Sequence, residues 1–433
     1  MPHGMFFAIN KPDQSNKRLK MTRYLFIFLI LFIPFISCEK NSTDNLPDEP
    51  VPIELTATQQ ELVEADNTFS FDIFRLMMQD NEDVENIMIS PLSISYALSM
   101  TLNGANGATR DSMMKALRYY NIDIEDINNS YKDLTDKLID IDERVVMEIA
   151  NSVWVEKRLR VKQAFIDMLK EYFDAEAYDF SVSDPGMVEI INKWIEDNTH
   201  GKIKDMIDEL PNDIAMLLIN AIYFNGKWKY EFDTDKTNEM SFYTETGNQV
   251  TVPMMNQELT ARLSLMSDLI LLELPYGQGN YVMDVLLPLD NNTCSDIVRL
   301  LNNENWNNWM NYMHDTNVDL YMPRFKYEFK TELKDILTSM GMGIAFAPEI
   351  ADFSNISEQD LFISKVLHQT FIETNEEGTE AAAATVVMIE FTSTQPADPF
   401  MIKLDRPFLY LIRETSTNAI AFMGKTGNPS VQE

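Results

Sequence analysis

Side chains able to act as nucleophiles, proton carriers or metal ligands are few in this 433-residue chain. There are two cysteines, Cys38 and Cys294, and four histidines, His3, His200, His314 and His368. Two cysteines cannot build a thiolate metal site, and no Cys-x-x-Cys or His-Glu-x-x-His spacing supplies one. No Gly-x-Ser-x-Gly elbow presents a serine for acyl transfer. Gly424-Lys425-Thr426 matches the end of a phosphate-binding loop, but Ala419 stands where the earlier glycine is required and Pro429 stops any following helix. His200 lies in a Thr-His-Gly turn. His368 lies in an apolar strand context, where a hydrogen-bonded core histidine is expected rather than a catalytic base. Carboxylates, 68 in all, are too abundant to nominate a pair. Neither a catalytic site nor a cofactor is expected.

The capacity this sequence does carry is a change of backbone state. Glu376-Glu377-Gly378-Thr379-Glu380-Ala381-Ala382-Ala383-Ala384-Thr385 opens on glycine and continues in small residues. Val386-Val387-Met388-Ile389, good strand formers, follow. Small side chains would let such a loop slide into a crowded sheet without overpacking the core beneath. At strand periodicity, Glu380 facing water carries Ala382 and Ala384 with it, and turns Thr379, Ala381, Ala383 and Thr385 inward. The opposite phase would bury Glu380 unpaired. Ala and Glu are also strong helix formers, so local propensity alone leaves a surface helix capped by Thr379 equally open.

The elements that must position this segment follow from composition and periodicity. A chain of this length with 45% hydrophobic residues supports one large domain or two small ones. The formal net charge of -33 argues against nucleic acid and anionic membrane surfaces, and would draw cationic partners. Helical spacing runs over 60–80 (Leu62, Phe69, Ile73, Phe74, Met77) and from Ser93 to Leu102, stopped by Gly104. Further helices are expected near 111–119, 126–139, 162–173 and 187–198, and strands around 146–155, 215–225, 269–274, 280–287 and 318–327. Helices and strands mix without βαβ regularity, so the class is α+β.

The N-terminus reads as targeting rather than fold. Lys17, Arg18, Lys20 and Arg23 precede an apolar run of 13 residues, Tyr24 to Ile36, too short to span a bilayer. Ser37-Cys38 at its end resembles a bacterial lipoprotein cleavage site, with Cys38 lipidated as the first mature residue; Phe35 departs from the usual leucine. An ordinary secretory signal is the alternative, and Met21 is a second candidate start. Loss of 1–37 removes five basic residues and one acid, taking the net charge to about -37. Residues 38–57, polar with Pro47, Pro50 and Pro52, are expected to be a tether, and 58–429 the domain. Lipidation of Cys38 leaves Cys294 without a partner, a structural thiol.

Several ordered stretches, with the hinge-like segment, resemble the serpins, the serine protease inhibitor superfamily, across nearly the whole mature chain. They are Asn86-Ile87-Met88-Ile89-Ser90-Pro91-Leu92-Ser93-Ile94, Gly104-Ala105-Asn106-Gly107-Ala108-Thr109, and Ile191-Asn192-Lys193-Trp194 with Thr199-His200-Gly201-Lys202-Ile203. Asn220-Ala221-Ile222-Tyr223-Phe224-Asn225-Gly226-Lys227-Trp228, Val252-Pro253-Met254-Met255, Asp405-Arg406-Pro407-Phe408 and Phe422-Met423-Gly424-Lys425 complete the set.

The resemblance implies three sheets, eight or nine helices and an exposed reactive-centre loop, about 376–400 here. A target protease cuts the loop, the loop inserts into the main sheet, and the acyl-bound protease is dragged away and distorted. Gly378 would be the pivot and Thr379 the first side chain to enter. Ser90, Ser93, Asn220 and His368 match polar positions under the sheet opening, Trp228 a position at its top, and Glu376 and Arg324 a charge pair there. Family spacing from Gly378 places the reactive bond at Thr392-Ser393, with Phe391-Thr392 adjacent as the alternative; counting back from Pro407 gives a point near Pro396. Threonine before the cut suits an elastase-like protease and phenylalanine a chymotrypsin-like one. No Lys or Arg occurs in 379–400, which disfavours trypsin-like targets. A monomeric inhibitor of a cationic protease, anchored by lipid, is the expectation; a non-inhibitory binding or structural surface lipoprotein is the rival.

Overall fold

Helix starts coincide with side chains that can satisfy free backbone N–H groups. Thr56 opens Ala57–Asp80 with a capping box, its hydroxyl accepting from Gln59 N while the Gln59 side chain accepts from Thr56 N. Ser90 caps Pro91–Gly104, which places proline in the first turn where its missing N–H costs nothing. Asp123 and Thr293 cap Ile124–Ile139 and Cys294–Leu300 in the same way. The computed structural model describes residues 49–212, 214–379 and 398–431. Among these are nine α-helices and fifteen strands, an α+β fold.

Two expectations need correction. The tether does not extend to residue 57, because Val51 and Asn280 exchange two hydrogen bonds and Ile53 N donates to Ser416 Oγ, fixing 51–53 to the body. The strand expected at 318–327 is two strands, His314–Pro323 and Phe325–Glu332, in different sheets. The break falls at Arg324, whose N–H donates to Pro253 O.

The strands form two hydrogen-bonded sheets among the described residues. In the nine-stranded sheet, Gln249–Leu265 pairs along its middle with His314–Pro323 and, at Arg262 to Leu265, with Leu269–Pro275. This continuous strand joins what would otherwise count as a second and a third sheet. The six-stranded sheet runs Phe325–Glu332, Leu367–Thr374, Gly378–Thr379, Met216–Lys227, Val145–Glu156, Glu176–Phe180.

The main core lies between the sheets and the helices Ala57–Asp80 and Pro91–Gly104, with Phe69, Phe74, Leu102 and Tyr410 fully enclosed. A second cluster sits on the other face of the six-stranded sheet. There Met187–Asn198 lays its only two fully buried side chains, Ile191 and Ile195, over Trp154, Ile203, Ile207 and Ile219. Burial of two isoleucines contributes roughly 3–6 kcal/mol, so this helix is a lightly held cover.

Candidate functional site: the hinge and the slot beneath it

Gly378 and Thr379 are a two-residue strand wedged between Leu367–Thr374 and Met216–Lys227. Thr379 lies opposite Thr374 on one side and Gly226 on the other, antiparallel to both. Glycine is required at 378 by close approach: a Cβ there would lie 2.2 Å from the Gly226 carbonyl oxygen and 2.7 Å from Lys227 Cα. Gly226 is small for a related reason, since its Cβ would meet the Phe224 and Tyr276 rings at 2.9 Å.

The turn into this strand is built by side chains. Asn375 Oδ1 accepts from the N–H groups of Glu377 (3.0 Å) and Gly378 (3.3 Å). Trp228 holds it from above, donating Nε1–H to Asn375 O at 2.9 Å and N–H to Glu377 O at 2.9 Å. Its ring stacks on Tyr276 at 4.4 Å, nearly coplanar at 9°. Arg324 Nε donates to Glu376 Oε1 at 2.8 Å, and Thr237 donates to the same oxygen. Burial pushes the Glu376 carboxyl up, but the bonds from Arg324 and Thr237 outweigh it and hold the group below the usual range. Thr379 Oγ1 meets the Tyr276 hydroxyl at 2.6 Å and Thr374 Oγ1 at 3.3 Å, and only 4% of Thr379 is exposed.

Sequence reasoning missed Tyr276, Thr374, Thr237 and Asn375. No local signal marks Tyr276 or Thr237, which reach the hinge from 103 and 139 residues away. Asn375 was legible, as an Asx-turn residue just before the glutamates and Gly378.

Below Thr379 the two flanking strands have no register with each other among the described residues. Each is antiparallel to Gly378–Thr379, so they run parallel to one another. Direct pairing would give a parallel ladder, the weaker kind, whereas a strand continuing from Thr379 would complete an antiparallel ladder on each side. A cavity of about 240 Å³ occupies this gap. Ser93, Ile94 and Leu98 line it from behind, Ile203 and Ile207 from the covering side, and Leu217, Asn220, His368 and Gln369 along the walls.

The walls are fastened to different parts of the molecule. On one side Ser90 N donates to His368 Nε2 at 3.0 Å, Ser90 Oγ donates to Ala421 O at 2.8 Å, and Ser93 N donates to Ser90 Oγ at 3.2 Å. Thr370 Oγ1 donates to Met88 O beside them. Burial lowers the His368 pKa to about 4, so the ring stays neutral and Nε2 remains an acceptor. On the other side Asn220 Nδ2 donates to Asn151 Oδ1 at 2.7 Å, and Asn220 Oδ1 is buried without a partner. The structure therefore joins Ser90, Ser93 and His368, and places Asn220 across the slot rather than in that cluster.

Of the other residues nominated from sequence, Glu380, Ala381, Ala382, Ala383, Ala384, Thr385, Phe391, Thr392, Ser393 and Cys38 lie outside the described residues. Cys294 is a free, buried thiol whose pKa burial pushes up. His200 Nε2 sits 2.8 Å from Glu148 Oε2 at the surface, away from the hinge. Among the described residues no cluster of His, Cys, Asp or Glu could hold a metal ion, and no helix is long and apolar enough to cross a membrane.

A two-sheet α+β body whose main sheet is parted to admit a hinge strand defines the class. The family profile described as serpin (serine protease inhibitor) matches residues 64–429. An uncharacterized serpin-like protein of Methanosarcina acetivorans is 34% identical over 377 residues, covering 85% of this chain and 88% of that one. The native state of tengpin, a thermophilic serpin, superposes with a TM-score of 0.78 at 31% identity, over 88% of this chain and 97% of its own. Human thyroxine-binding globulin complexed with its hormone gives 0.79 at 28% identity, over 87% and 100%. The chain belongs to the serpin family, whose members are in general protease inhibitors rather than enzymes.

Proposed function

We propose that this serpin is inhibitory and traps a serine protease covalently, with a cysteine protease as the alternative target class. Cleavage near Thr392-Ser393, with Phe391-Thr392 as the adjacent alternative, would release 379–392 to continue the strand begun at Gly378–Thr379. The observation that carries the reading is the buried, doubly paired Thr379 at the head of a slot whose two walls are parallel to each other. Insertion then adds an antiparallel ladder on each side of a gap whose walls have no register with each other among the described residues, and the free energy released is spent on deforming the acyl-bound protease. Insertion must outrun hydrolysis of the acyl bond, which is why the segment Thr379 to Thr385 is small.

The loop composition supports elastase-like or chymotrypsin-like targets, and the net charge of -33 supports cationic ones. The likeness to thyroxine-binding globulin keeps a carrier as the second reading; the inserting stretch 379–385, which has no proline or aromatic residue and a single charge at Glu380, favours the first. The test is a denaturing gel of the protein mixed with neutrophil-type elastase, cathepsin G, subtilisin and trypsin. A boiling-resistant band at the summed mass supports trapping. Complete cleavage of the loop by these enzymes with no such band in any lane refutes it and favours the carrier.

The Ser37-Cys38 junction supports anchoring of the chain to a bacterial cell envelope through lipid on Cys38. Cys38→Ala is expected to release it from membranes; continued sedimentation with membranes overturns the anchor.

A further inference from the structure

The slot has a feature that a strand alone does not explain. Two buried amide oxygens on opposite walls, Asn220 Oδ1 and Gln369 Oε1, have no hydrogen-bond partner. Gln369 is only 8% exposed, and its Nε2 is committed to Lys204 O at 3.2 Å. Both residues line the cavity of about 240 Å³, whose remaining walls are largely aliphatic: Ile94, Leu98, Ile203, Ile207, Leu217 and Ile219. An apolar cavity of about 150 Å³ accepts benzene, so this one has room for about ten heavy atoms. The charged side chains at its margin are Glu209, Asp360 and Lys365, which leaves one negative charge in excess and disfavours an anion.

From this we propose that the cavity binds one small neutral apolar molecule bearing a hydrogen-bond donor, a compact alkylphenol or alcohol, and that its occupancy excludes strand insertion. The apolar body replaces water against the aliphatic walls, and the donor satisfies Gln369 Oε1. Ligand and inserted strand exclude one another because both need the same two walls. The competition, though not the binding, rests on the insertion reading above. Occupancy would turn the inhibitor into a substrate, giving control by an apolar metabolite.

The probe is 4-propylphenol, with 4-propylanisole (same body, no donor) and 4-propylbenzoate (anionic) as comparisons, titrated by calorimetry into the full chain. Saturable heat for the phenol is expected, with the ether and the benzoate each about tenfold weaker, the worth of one net hydrogen bond. Gln369→Met should bring the phenol down to the ether, and Ala97→Phe, which fills the cavity from Pro91–Gly104, should abolish binding. Absence of heat with the phenol overturns the site. Equal affinity for phenol and ether overturns the role of the donor. The titration is repeated after a protease has cut the loop, with thermal stability measured alongside. Loss of binding together with a raised Tm supports the competition. Retained binding with a raised Tm overturns it. Retained binding with an unchanged Tm supports the site and instead refutes the insertion reading.

Discussion

Thr379→Arg separates the fold of this protein from its proposed action. In the wild type the Thr379 hydroxyl meets the buried Tyr276 hydroxyl at 2.6 Å and the side chain is 4% exposed. An arginine cannot stay there: it would leave Tyr276 unpaired at about 1–3 kcal/mol and bury an uncompensated guanidinium at several more. Peeling Gly378–Thr379 out of the sheet is cheaper: it too gives up the Tyr276 bond and those of a two-residue strand, but it leaves the guanidinium in water. The body should therefore survive, with Tm lower by no more than about 5 °C. Insertion, which must begin at this residue, would face a barrier higher by about 3 kcal/mol, or roughly 100-fold slower. Acyl hydrolysis is untouched, so the ratio of cleaved to complexed inhibitor should rise roughly 100-fold, and the inhibitor consumed per protease trapped should climb from near one to several or more. The assay is residual protease activity against inhibitor ratio, with gels to count complex and cleaved product. Thr379→Ser, which keeps the hydroxyl, should stay near the wild type. Unchanged stoichiometry for Thr379→Arg would refute the claim that 379 is the leading inserted side chain.

Other perturbations read the hinge and the buried titrating groups. Arg324→Met leaves the Glu376 carboxylate, 4% exposed, with Thr237 as its remaining side-chain partner. A loss of about 1–3 kcal/mol is expected by urea unfolding, disappearing at acid pH as Glu376 is protonated; a loss that persists there would exclude the ion pair as its cause. His368, held at a pKa of about 4 by burial, binds its proton less tightly folded than unfolded, so stability should fall as pH drops from about 6.5 toward about 4, by on the order of 3 kcal/mol. His368→Gln keeps an acceptor for Ser90 N and should remove that slope. Asp66, enclosed by Tyr119, Tyr131 and Ser95, has the opposite sign: burial raises it to about 7, so its contribution weakens as pH rises from about 4 to about 7. The two slopes partly cancel in the wild type, and Asp66→Asn should expose the histidine slope in full. Thermal melts of the two variants from pH 4 to 8 that match the wild type would exclude both assignments.

Much of the site was legible in the chain because it depends on side-chain size and local geometry. Gly378 and Thr379 stand out for their size and for the small residues that follow them. Ser90 was nominated through the resemblance, and the structure adds that it caps Pro91–Gly104. The resemblance supplied Trp228, Arg324 and Glu376, which the fold brings to the head of the slot. Only folding distinguished Arg324 as a chain break between two sheets, since the stretch around 318–327 reads as one continuous strand.

By itself the sequence determined the class, the approximate places of six helices and the composition of the hinge. Capping, periodicity and side-chain volume act over a few residues and are written where they act. The tertiary structure decided that Asn220 and His368 stand on opposite walls, that Tyr276 and Thr237 complete the hinge, and that the parted strands are parallel to each other. Those facts depend on which distant strands become neighbours, and the contacts around the slot join residues up to 331 positions apart. The backbone order that makes insertion favourable is a property of topology, and no local stretch of sequence encodes it.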